Sequence, residues 1–271
     1  MSERDRVKDV LYEYGLSAKK SFGQNFLVDD GIIRRIIKGV NASDYDCVIE
    51  IGAGLGSLSI PLSKEAKKLI LVEADRDMVK VLNHTFEGTS VEIVQSDFLR
   101  FDPDTVSNKD TRLFVGNLPY NITSRLLEYM LEKGFKSAGF MVQKEVFEKL
   151  DYQPGKKDNS PMGSFIKTFC DLSLLTFVDR SAFAPSPKVD SAFLKIDRQK
   201  EIEFNLYPIY KAMFKDPNKT ISNCLKQDPI YKNVIFALKG SEENMLSMRA
   251  RQLDTGTLHS LAETIYDLNK N

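Results

Sequence analysis

The chain has 271 residues, of which 42% are hydrophobic and 28% are charged. This length is enough for one large domain and one small domain, and the composition is that of a globular protein. No apolar run approaches the roughly 18 residues of a membrane-spanning helix, and the charged amino terminus lacks the apolar stretch of a signal peptide. We therefore expect a cytoplasmic protein with no membrane partner.

The cysteines and histidines give no sign of a metal site. Cys47, Cys170 and Cys224 are odd in number and far apart in apolar surroundings, so we expect reduced core residues. His84 and His259 have no Cys or His neighbour at the spacing of metal ligands. The sequence therefore predicts no metal.

The net charge is zero, because 38 basic residues balance 38 acidic residues. A nucleic-acid-binding protein with this balance must segregate its charge, since phosphate contacts require a basic face. The candidate basic clusters are Lys19-Lys20, Lys64 with Lys67-Lys68, Lys156-Lys157, and Arg249 with Arg251. For each cluster taken alone, a solvated surface is the simpler interpretation.

The amino-terminal part predicts two helices separated by a loop. Apolar spacing indicates a helix from about Arg6 to Tyr14, with Gly15 as its C-cap. The segment 19–27 is rich in amides, aromatics and glycine, which is typical of a loop. Asp29 or Asp30 then caps a second helix that carries four isoleucines.

The next segment has the pattern of a nucleotide-binding unit. A buried strand, 47–51, runs into the glycine-rich turn Gly52-Ala-Gly54-Leu-Gly56, and a helix is expected over 58–66. Glycines at such a turn let the backbone approach a ligand that a Cβ atom would block. A second strand ends at Glu73, about 20 positions after the first glycine, which is the spacing of an acid that binds ribose hydroxyls.

Further strands are expected over 91–94, 113–115 and 138–142, with helices between them. This alternation predicts an α/β fold with a doubly wound, mostly parallel sheet. In such sheets, ligands bind beyond the carboxyl ends of the strands. Four candidate ligand-binding residues fall at these ends: Gly52, Glu73, Asp97 and Asn117.

The carboxyl-terminal part begins with a loop over 151–164, followed by strands over 172–178 and 192–196. Between these strands, Phe183-Ala-Pro-Ser-Pro-Lys-Val189 contains two prolines, so we expect a stiff, extended segment that presents Phe183. A phenylalanine that pins a loop to the core is the alternative.

The pattern changes to short helices from about Glu201, with helical segments at 206–214, 220–225, 234–238 and 257–268. The sequence therefore predicts a large α/β domain over residues 1–200. A small helical domain is expected over residues 201–271.

The stretch Asn117-Leu118-Pro119-Tyr120 is an unusual choice for structure alone. Asparagine offers an acceptor and a donor on one planar group, proline removes an N–H, and tyrosine provides a flat face for stacking. Together these residues suit a planar, amine-bearing ring such as adenine. A plain strand-to-helix turn is the alternative.

The glycine turn fits either a dinucleotide or S-adenosylmethionine (AdoMet). A dinucleotide motif has its third glycine five positions after the first, where this chain has Ser57. Glu50 before the turn and Asp97 at a strand end suit AdoMet, which carries a cationic sulfonium and no pyrophosphate. The sequence therefore favours AdoMet over NAD.

These motifs together resemble the small-subunit ribosomal RNA adenine N6,N6-dimethyltransferase family. The resemblance covers about residues 10–200 and, more loosely, the helical end. It rests on Gly23–Leu27, Glu50–Gly56, Glu73, Ser96-Asp97, Asn117–Tyr120, Gln143–Val146 and Phe183–Ala192, with a moderate match at Lys219–Leu225. The family implies a Rossmann-like AdoMet-dependent methyltransferase fold with a small helical RNA-binding domain.

The resemblance also implies the roles of individual residues. The implied cofactor-binding residues are Asn25, Leu27, Gly52, Gly54, Glu73, Asp97 and Asn117. On the substrate side, Asn117 holds the target amine, the carbonyl of Leu118 or Pro119 accepts its second N–H, and Tyr120 and Phe183 sandwich the base. Two departures concern the substrate side: Phe147 replaces a usual alanine, and Asn159-Ser-Pro-Met-Gly163 replaces a stretch that usually contains Tyr-Gly.

The activity implied is N6,N6-dimethylation of two adjacent adenosines in a small-subunit rRNA 3′-end hairpin, in an immature small ribosomal subunit. We expect a monomer that uses no metal and no general base. One alternative is a large-subunit rRNA adenine methyltransferase of the macrolide-resistance type, which usually has Ile at the position of Leu118 and a strongly basic chain. The other is a non-catalytic RNA-binding assembly factor on the same fold. A DNA adenine methylase fits less well, because its signature usually has a second proline or an acidic first residue.

Overall fold

The computed structural model describes residues 1–19, 24–238 and 242–270. Lys20 and Gly23, which belong to the expected basic cluster and loop, lie outside the described residues. Among the described residues, no helix combines the length and the apolar character that crossing a bilayer requires. All three cysteines are buried and none is in a disulfide, as the sequence predicts.

The described residues form nine strands and eleven helices, together with short 3₁₀ turns. The strands are β1 (Phe26–Leu27), β2 (Cys47–Ile51), β3 (Leu69–Glu73), β4 (Glu92–Gln95), β5 (Arg112–Asn117), β6 (Ser137–Gln143), β7 (Cys170–Val178), β8 (Phe183–Ala184) and β9 (Ser191–Arg198). The helices are α1 (Glu3–Glu13), α2 (Asp30–Val40), α3 (Ser59–Leu62), α4 (Arg76–Thr85), α5 (Thr123–Lys133), α6 (Lys144–Leu150), α7 (Pro161–Phe169), α8 (Tyr207–Met213), α9 (Ile221–Lys226), α10 (Glu242–Leu246) and α11 (Thr255–Lys270).

Seven strands form one sheet in the order β4-β3-β2-β5-β6-β9-β7. The pairs β2–β3, β3–β4, β2–β5 and β5–β6 are parallel, and β9 is antiparallel to β6. Strands β3 and β4 lie on one side of β2, and the next strand in the chain, β5, lies on the other side. This switch point opens a crevice at the carboxyl ends of β2 and β5. The mostly parallel, doubly wound sheet that we predicted is confirmed.

Local sequence explains the first helix beside this sheet. Asp29 caps α2, because its side chain accepts hydrogen bonds from the N–H groups of Gly31 (2.8 Å) and Ile32 (2.9 Å). The helix then buries one apolar stripe, which includes Ile33, Ile36, Ile37 and Val40. Of the two predicted caps, the structure uses Asp29.

A glycine sets the close approach of the two central strands. A Cβ atom on Gly116 would lie 2.5 Å from the carbonyl oxygen of Ile51, a separation at which the backbone must shift. Gly116 therefore lets β5 lie against the end of β2, one residue before Asn117.

Three predicted segments differ from the structure. The helix expected over 58–66 is helical only in α3, and the chain continues as turns in which the Lys64 N–H bonds the Pro61 carbonyl at 3.2 Å. The loop expected over 151–164 ends at Ser160, whose hydroxyl accepts from the Gly163 N–H at 2.9 Å and caps α7. The helix expected over 234–238 is a single 3₁₀ turn.

The chain divides into two compact units. Met1–Lys144 with Ser173–Arg198 form the unit that contains most of the sheet, and Glu145–Leu172 with Gln199–Asn271 form the second unit. The break after Arg198 is close to the predicted boundary at residue 200. Residues 145–172 were expected in the first domain, but α7 packs against α8 and α11 and so belongs with the helices.

Candidate active site

A cleft of about 310 Å³ opens where strands β2, β3 and β5 end. Ligand pockets are usually about 300–1,000 Å³, so its size suits a small molecule. It is lined by all but one of the site residues predicted from the sequence: Asn25, Leu27, Gly52, Gly54, Glu73, Asp97, Asn117, Leu118, Pro119 and Tyr120. The exception is Phe183.

Asn117 is the last residue of β5, and its side chain is held from the amino-terminal segment. Its Nδ2 group donates to the backbone carbonyl of Asn25 at 2.8 Å. Because this bond uses the donor end of the carboxamide, the acceptor end, Oδ1, is the one that suits an amine donor. Two residues that lie 92 positions apart in the sequence thus meet at the cleft.

The two carbonyls that follow Asn117 differ in their partners. The Pro119 carbonyl accepts from the Ile122 N–H at 3.2 Å and from the Thr123 hydroxyl at 3.0 Å, at the start of α5. These two hydrogen bonds occupy both lone pairs of the Pro119 carbonyl. The Leu118 carbonyl is therefore the better acceptor for a ligand, and Leu118 itself is a buried residue of the cleft wall.

Tyr120 is anchored through its hydroxyl. The hydroxyl lies 2.7 Å from Oγ of Ser191, a fully buried residue at the start of β9. Burial raises the pKa of the Tyr120 hydroxyl, so the group stays protonated and neutral. The ring is therefore held in one orientation in the cleft wall.

Phe183 is not presented to the cleft, so that expectation was wrong. Its side chain is only 1% exposed and belongs to the core cluster that also contains Met141 and Phe193. The reason is strand pairing: β8 runs antiparallel to β1, with Phe183 opposite Leu27. The alternative interpretation, a phenylalanine that pins a loop to the core, is correct for this structure.

Glu73 ends β3 and organises the glycine turn. Its Oε2 accepts from the Gly54 N–H and its Oε1 from the Asp75 N–H, both at 2.8 Å. Burial raises the pKa of Glu73, while these backbone N–H groups act in the opposite direction. Each carboxylate oxygen has a second lone pair, so Glu73 is oriented and can still accept from a ribose hydroxyl.

Glu50 and Gly52 give the clearest fit to AdoMet. The Glu50 side chain is 2% exposed and lines the cleft, and its Oε2 has no hydrogen-bond partner among the described residues. Burial raises its pKa to about 8, and the nearby charge of Glu73 adds to the rise. Gly52 has a φ of +71°, and apart from its two chain neighbours no described residue has an atom within 4 Å of where its Cβ would be. A buried acceptor next to open space suits a cationic ligand that approaches the backbone.

Asp97 lies beyond the end of β4, in the exposed part of the cleft. Its Oδ1 accepts from the Leu99 N–H at 3.0 Å and caps a 3₁₀ turn. The same turn therefore fixes the direction of the carboxylate that the family resemblance assigns to the adenine ring of the cofactor.

One set of polar contacts beside the cleft was not anticipated. Lys19 Nζ lies 2.8 Å from Asp75 Oδ1, and Gln24 Nε2 donates to Asp75 Oδ2 at 2.8 Å. Asp75 also caps α4 by accepting from the Asp77 N–H. These bonds connect Lys19 and Gln24 to the residues that follow Glu73. Gln24 lies in a motif noted above, but nothing in the sequence marks Asp75 as its partner.

Comparison with known proteins agrees with this geometry. The chain matches the family model for ribosomal RNA adenine dimethylase over residues 15–252. It is 31% identical over 275 residues to the ribosomal RNA small subunit methyltransferase A of Clostridium botulinum (strain Loch Maree / Type A3), across 97% of this chain and 99% of the relative. The chain belongs to the ribosomal RNA adenine dimethylase family.

One further relative and two solved structures are also similar to this dimethylase. The small subunit methyltransferase A of Clostridium perfringens (strain SM101 / Type A) is 30% identical over 268 residues, which are 95% of this chain and 92% of the relative. A dimethyladenosine transferase from Plasmodium falciparum superposes with a TM-score of 0.73 at 26% identity, across 90% of this chain and 98% of that one. The 23S rRNA methyltransferase ErmE, at 23% identity and a TM-score of 0.62 over 91% of this chain and all of its own, shares the fold.

Family membership confirms the cofactor and the reaction class. The dimethylase is an enzyme that uses AdoMet to dimethylate rRNA adenine. Glu50, Glu73 and Asp97 line the cleft together with the glycine turn, and they are the residues that would hold AdoMet.

The two departures from the family pattern lie in the second unit of the dimethylase. Phe147 is a half-buried residue of α6. In the loop before α7, the Asn159 side chain bonds both the N–H and the carbonyl of Gln153. A Cβ atom on Gly163 would lie 2.5 Å from the Lys149 carbonyl oxygen, so this glycine is needed for packing. Asn159 and Gly163 therefore have structural roles within their own unit.

The described residues also contain one group that offers three metal-ligand atoms within 4.8 Å of one another. It consists of Glu203, His259 and Glu263, in the second unit. The proximity of His259 to two carboxylates could not be predicted from the sequence, because Glu203 is distant in the chain. None of these residues lines the cleft.

Proposed function

We propose that this dimethylase methylates N6 of two adjacent adenosines in a 3′-end hairpin of small-subunit rRNA, within an immature small ribosomal subunit. The names of the bacterial relatives at 30–31% identity support the small subunit as the source of the substrate. Because that substrate would be an assembling ribosomal particle, we also propose a cytoplasmic location and action as a monomer.

The observation that carries the proposal is the bond between Asn117 and Asn25. The N6 amine of adenine is a poor nucleophile, because its lone pair is delocalised into the ring. A site that accepts both N6–H groups draws the nitrogen toward tetrahedral geometry. With its NH₂ group held by Asn25, the Asn117 carboxamide offers Oδ1 as one acceptor, and the Leu118 carbonyl is the second.

The remaining chemistry requires little from the protein. When bound, AdoMet supplies an electrophilic methyl group on its sulfonium. No general base is needed, because the methylated amine is acidic and loses its proton readily to water. A metal ion is not needed either, since the sulfonium is already activated. Preorganised acceptors and positioning therefore account for catalysis.

Tyr120 is the proposed stacking surface for the target base. An adenine must leave its stack to reach the cleft, and an aromatic face compensates for the lost stacking. The bond to Ser191 holds the ring in place before the base arrives. The second aromatic face that the family resemblance assigns to Phe183 requires the 183–189 segment to move, because the ring is buried in this structure.

The alternatives have less support. The large-subunit methyltransferase of the comparison is only 23% identical and shows the fold alone, and Leu118 and the neutral net charge speak against that activity. A non-catalytic assembly factor would have no need for an oriented Asn117.

The experiment is methylation of two substrates with radiolabelled AdoMet. Immature small subunits and protein-free large-subunit rRNA are each incubated with the enzyme, and modified nucleotides are mapped by mass spectrometry. We expect dimethyladenosine at two adjacent positions near the 3′ end of small-subunit rRNA only. Modification of the large-subunit RNA supports the first alternative, and AdoMet binding without turnover on either substrate supports the second.

A further inference from the structure

The basic clusters predicted from the sequence are not the best candidates for an RNA-binding surface. Most members of the clusters seen in the sequence have acceptors within the protein. Lys67 lies 3.2 Å from Asp46, Lys68 lies 3.2 Å from Glu92, and Lys156 lies 3.9 Å from Asp151. Lys19 pairs with Asp75 and Asp77, and Arg249 and Arg251 donate to the carbonyls of Asn218 and Pro217. The positive charges of these residues are therefore largely compensated by acceptors of the protein itself.

A different basic group forms only in three dimensions. Arg34 and Lys38 of α2 and Lys64, in the turns after α3, line one groove of about 680 Å³. All three side chains are exposed, and none lies within 4.0 Å of a carboxylate in the part of the chain that the structure describes. We call this surface the basic groove.

The composition of the basic groove suits an extended anion. Among the described residues that line it, Ile33, Ile37 and Pro61 are apolar, Asn41 and Ser43 are polar, and Glu65 alone is acidic. The lining therefore carries three positive charges and one negative charge. Arg34 and Lys38 are four residues apart on α2, and like charges at this spacing repel each other and destabilise a helix. A bound phosphate would remove that repulsion.

The position of the basic groove separates it from the catalytic cleft. Lys38 to Ser43 come just before β2 begins, and Lys64 and Glu65 come shortly before β3 begins. The groove therefore extends toward the amino ends of the strands, whereas the cleft lies at their carboxyl ends. A ligand in the groove is not the target adenosine.

We propose that the basic groove binds the phosphate backbone of the substrate RNA at a distance from the methylated nucleotides. This inference rests on the proposed function for the identity of the RNA. The groove takes backbone rather than bases, because the described residues that line it include cations and no aromatic ring. It supplies the segregated basic surface that a chain of zero net charge requires.

The test is a charge-neutralising triple variant, Arg34→Gln with Lys38→Gln and Lys64→Gln. The matched control removes the same charge from exposed lysines that lie outside both the groove and the helical domain: Lys8→Gln, Lys80→Gln and Lys136→Gln. Binding to a duplex RNA hairpin with the sequence of the small-subunit 3′ end is measured by fluorescence anisotropy at several salt concentrations. AdoMet affinity is measured for each protein, because a folded variant retains it.

Each phosphate contact contributes about 0.7–0.9 to the slope of log affinity against log salt concentration. We expect the groove variant to lose roughly tenfold or more in RNA affinity and to have a slope shallower by about 2–3, with AdoMet affinity unchanged. The control should match the wild type in slope. Equal slopes for the groove variant and the control overturn the proposal. Because hairpin binding needs no methyl transfer, this result stands apart from a failure to methylate small subunits, which would contradict the proposed function instead.

Discussion

The hydroxyl of Tyr120 lies 2.7 Å from Oγ of Ser191, across 71 positions of sequence. One residue belongs to the motif that follows β5, and the other begins β9, which pairs with β6 in the same sheet. A ring that stacks on a base must be rigid before the base arrives, because ordering it afterwards lowers affinity. This bond joins the substrate face of the cleft to β9, which lies between β6 and the edge strand β7.

We predict that Ser191→Ala destabilises the protein by about 1–3 kcal/mol, because the Tyr120 hydroxyl loses its buried partner. Tyr120→Phe removes the hydroxyl but keeps the ring, so it should retain most activity with a raised KM for RNA. Denaturant unfolding and steady-state methylation kinetics measure both effects. In the double variant, Tyr120→Phe should relieve the loss caused by Ser191→Ala. Strictly additive losses in unfolding free energy would argue against the coupling.

The Glu50 carboxyl predicts a pH dependence for AdoMet binding. Its pKa in the free protein is raised to about 8 by burial, so it carries a proton at neutral pH. A cationic ligand favours the ionised form and lowers that pKa, so binding near pH 7 should release a proton. Affinity should therefore rise with pH by up to about tenfold per unit and level off near pH 8.

Calorimetry in two buffers with different ionisation enthalpies measures this proton release directly. Glu50→Gln is the matched variant, because it keeps the shape of the side chain without a titratable proton. It should bind AdoMet more weakly and with no pH dependence over the same range. A wild-type protein that releases no proton near pH 7 would contradict the prediction.

We predict that the close approach of β5 to β2 at Gly116 is required for activity. A Cβ atom there would lie 2.5 Å from the Ile51 carbonyl oxygen, so Gly116→Ala should force β5 away from β2 and displace Asn117. We expect a loss of about 1–3 kcal/mol in stability and a larger fractional loss in turnover than in AdoMet affinity.

The control for this variant is Gly256→Ala, at the exposed start of α11. Its added Cβ would meet only a side-chain oxygen of Asp254 at 3.2 Å. Thermal unfolding and methylation assays should show little change. If Gly116→Ala behaves like this control, the close approach of the strands does not position Asn117.

The fold and most of the cleft could be predicted from the sequence, because both depend on local signals. Apolar runs followed by Gly52, Glu73, Asp97 and Asn117 mark the carboxyl ends of parallel strands, and these ends meet at one edge of any such sheet. All four residues line the cleft.

Features that depend on pairing between distant segments could not be predicted. Phe183 is buried because β8 pairs with β1, and neither two-residue strand has a pattern of its own. The composition of the 183–189 segment describes its stiffness but not its partner. The helix 161–169 follows the same rule, because its grouping with α8 and α11 is a matter of packing rather than of position in the chain.

The central claim is that Asn117 acts on the target amine and contributes little to AdoMet affinity. The most direct measurement compares Asn117→Ala with the wild type for AdoMet affinity by calorimetry and for single-turnover methylation of immature small subunits. We predict an AdoMet Kd within a few-fold of the wild type and a methyl-transfer rate lower by at least about 10²–10³-fold, the usual effect of removing one preorganised hydrogen-bonding group. A variant that methylates at the wild-type rate, or that loses activity only because it no longer binds AdoMet, would contradict it.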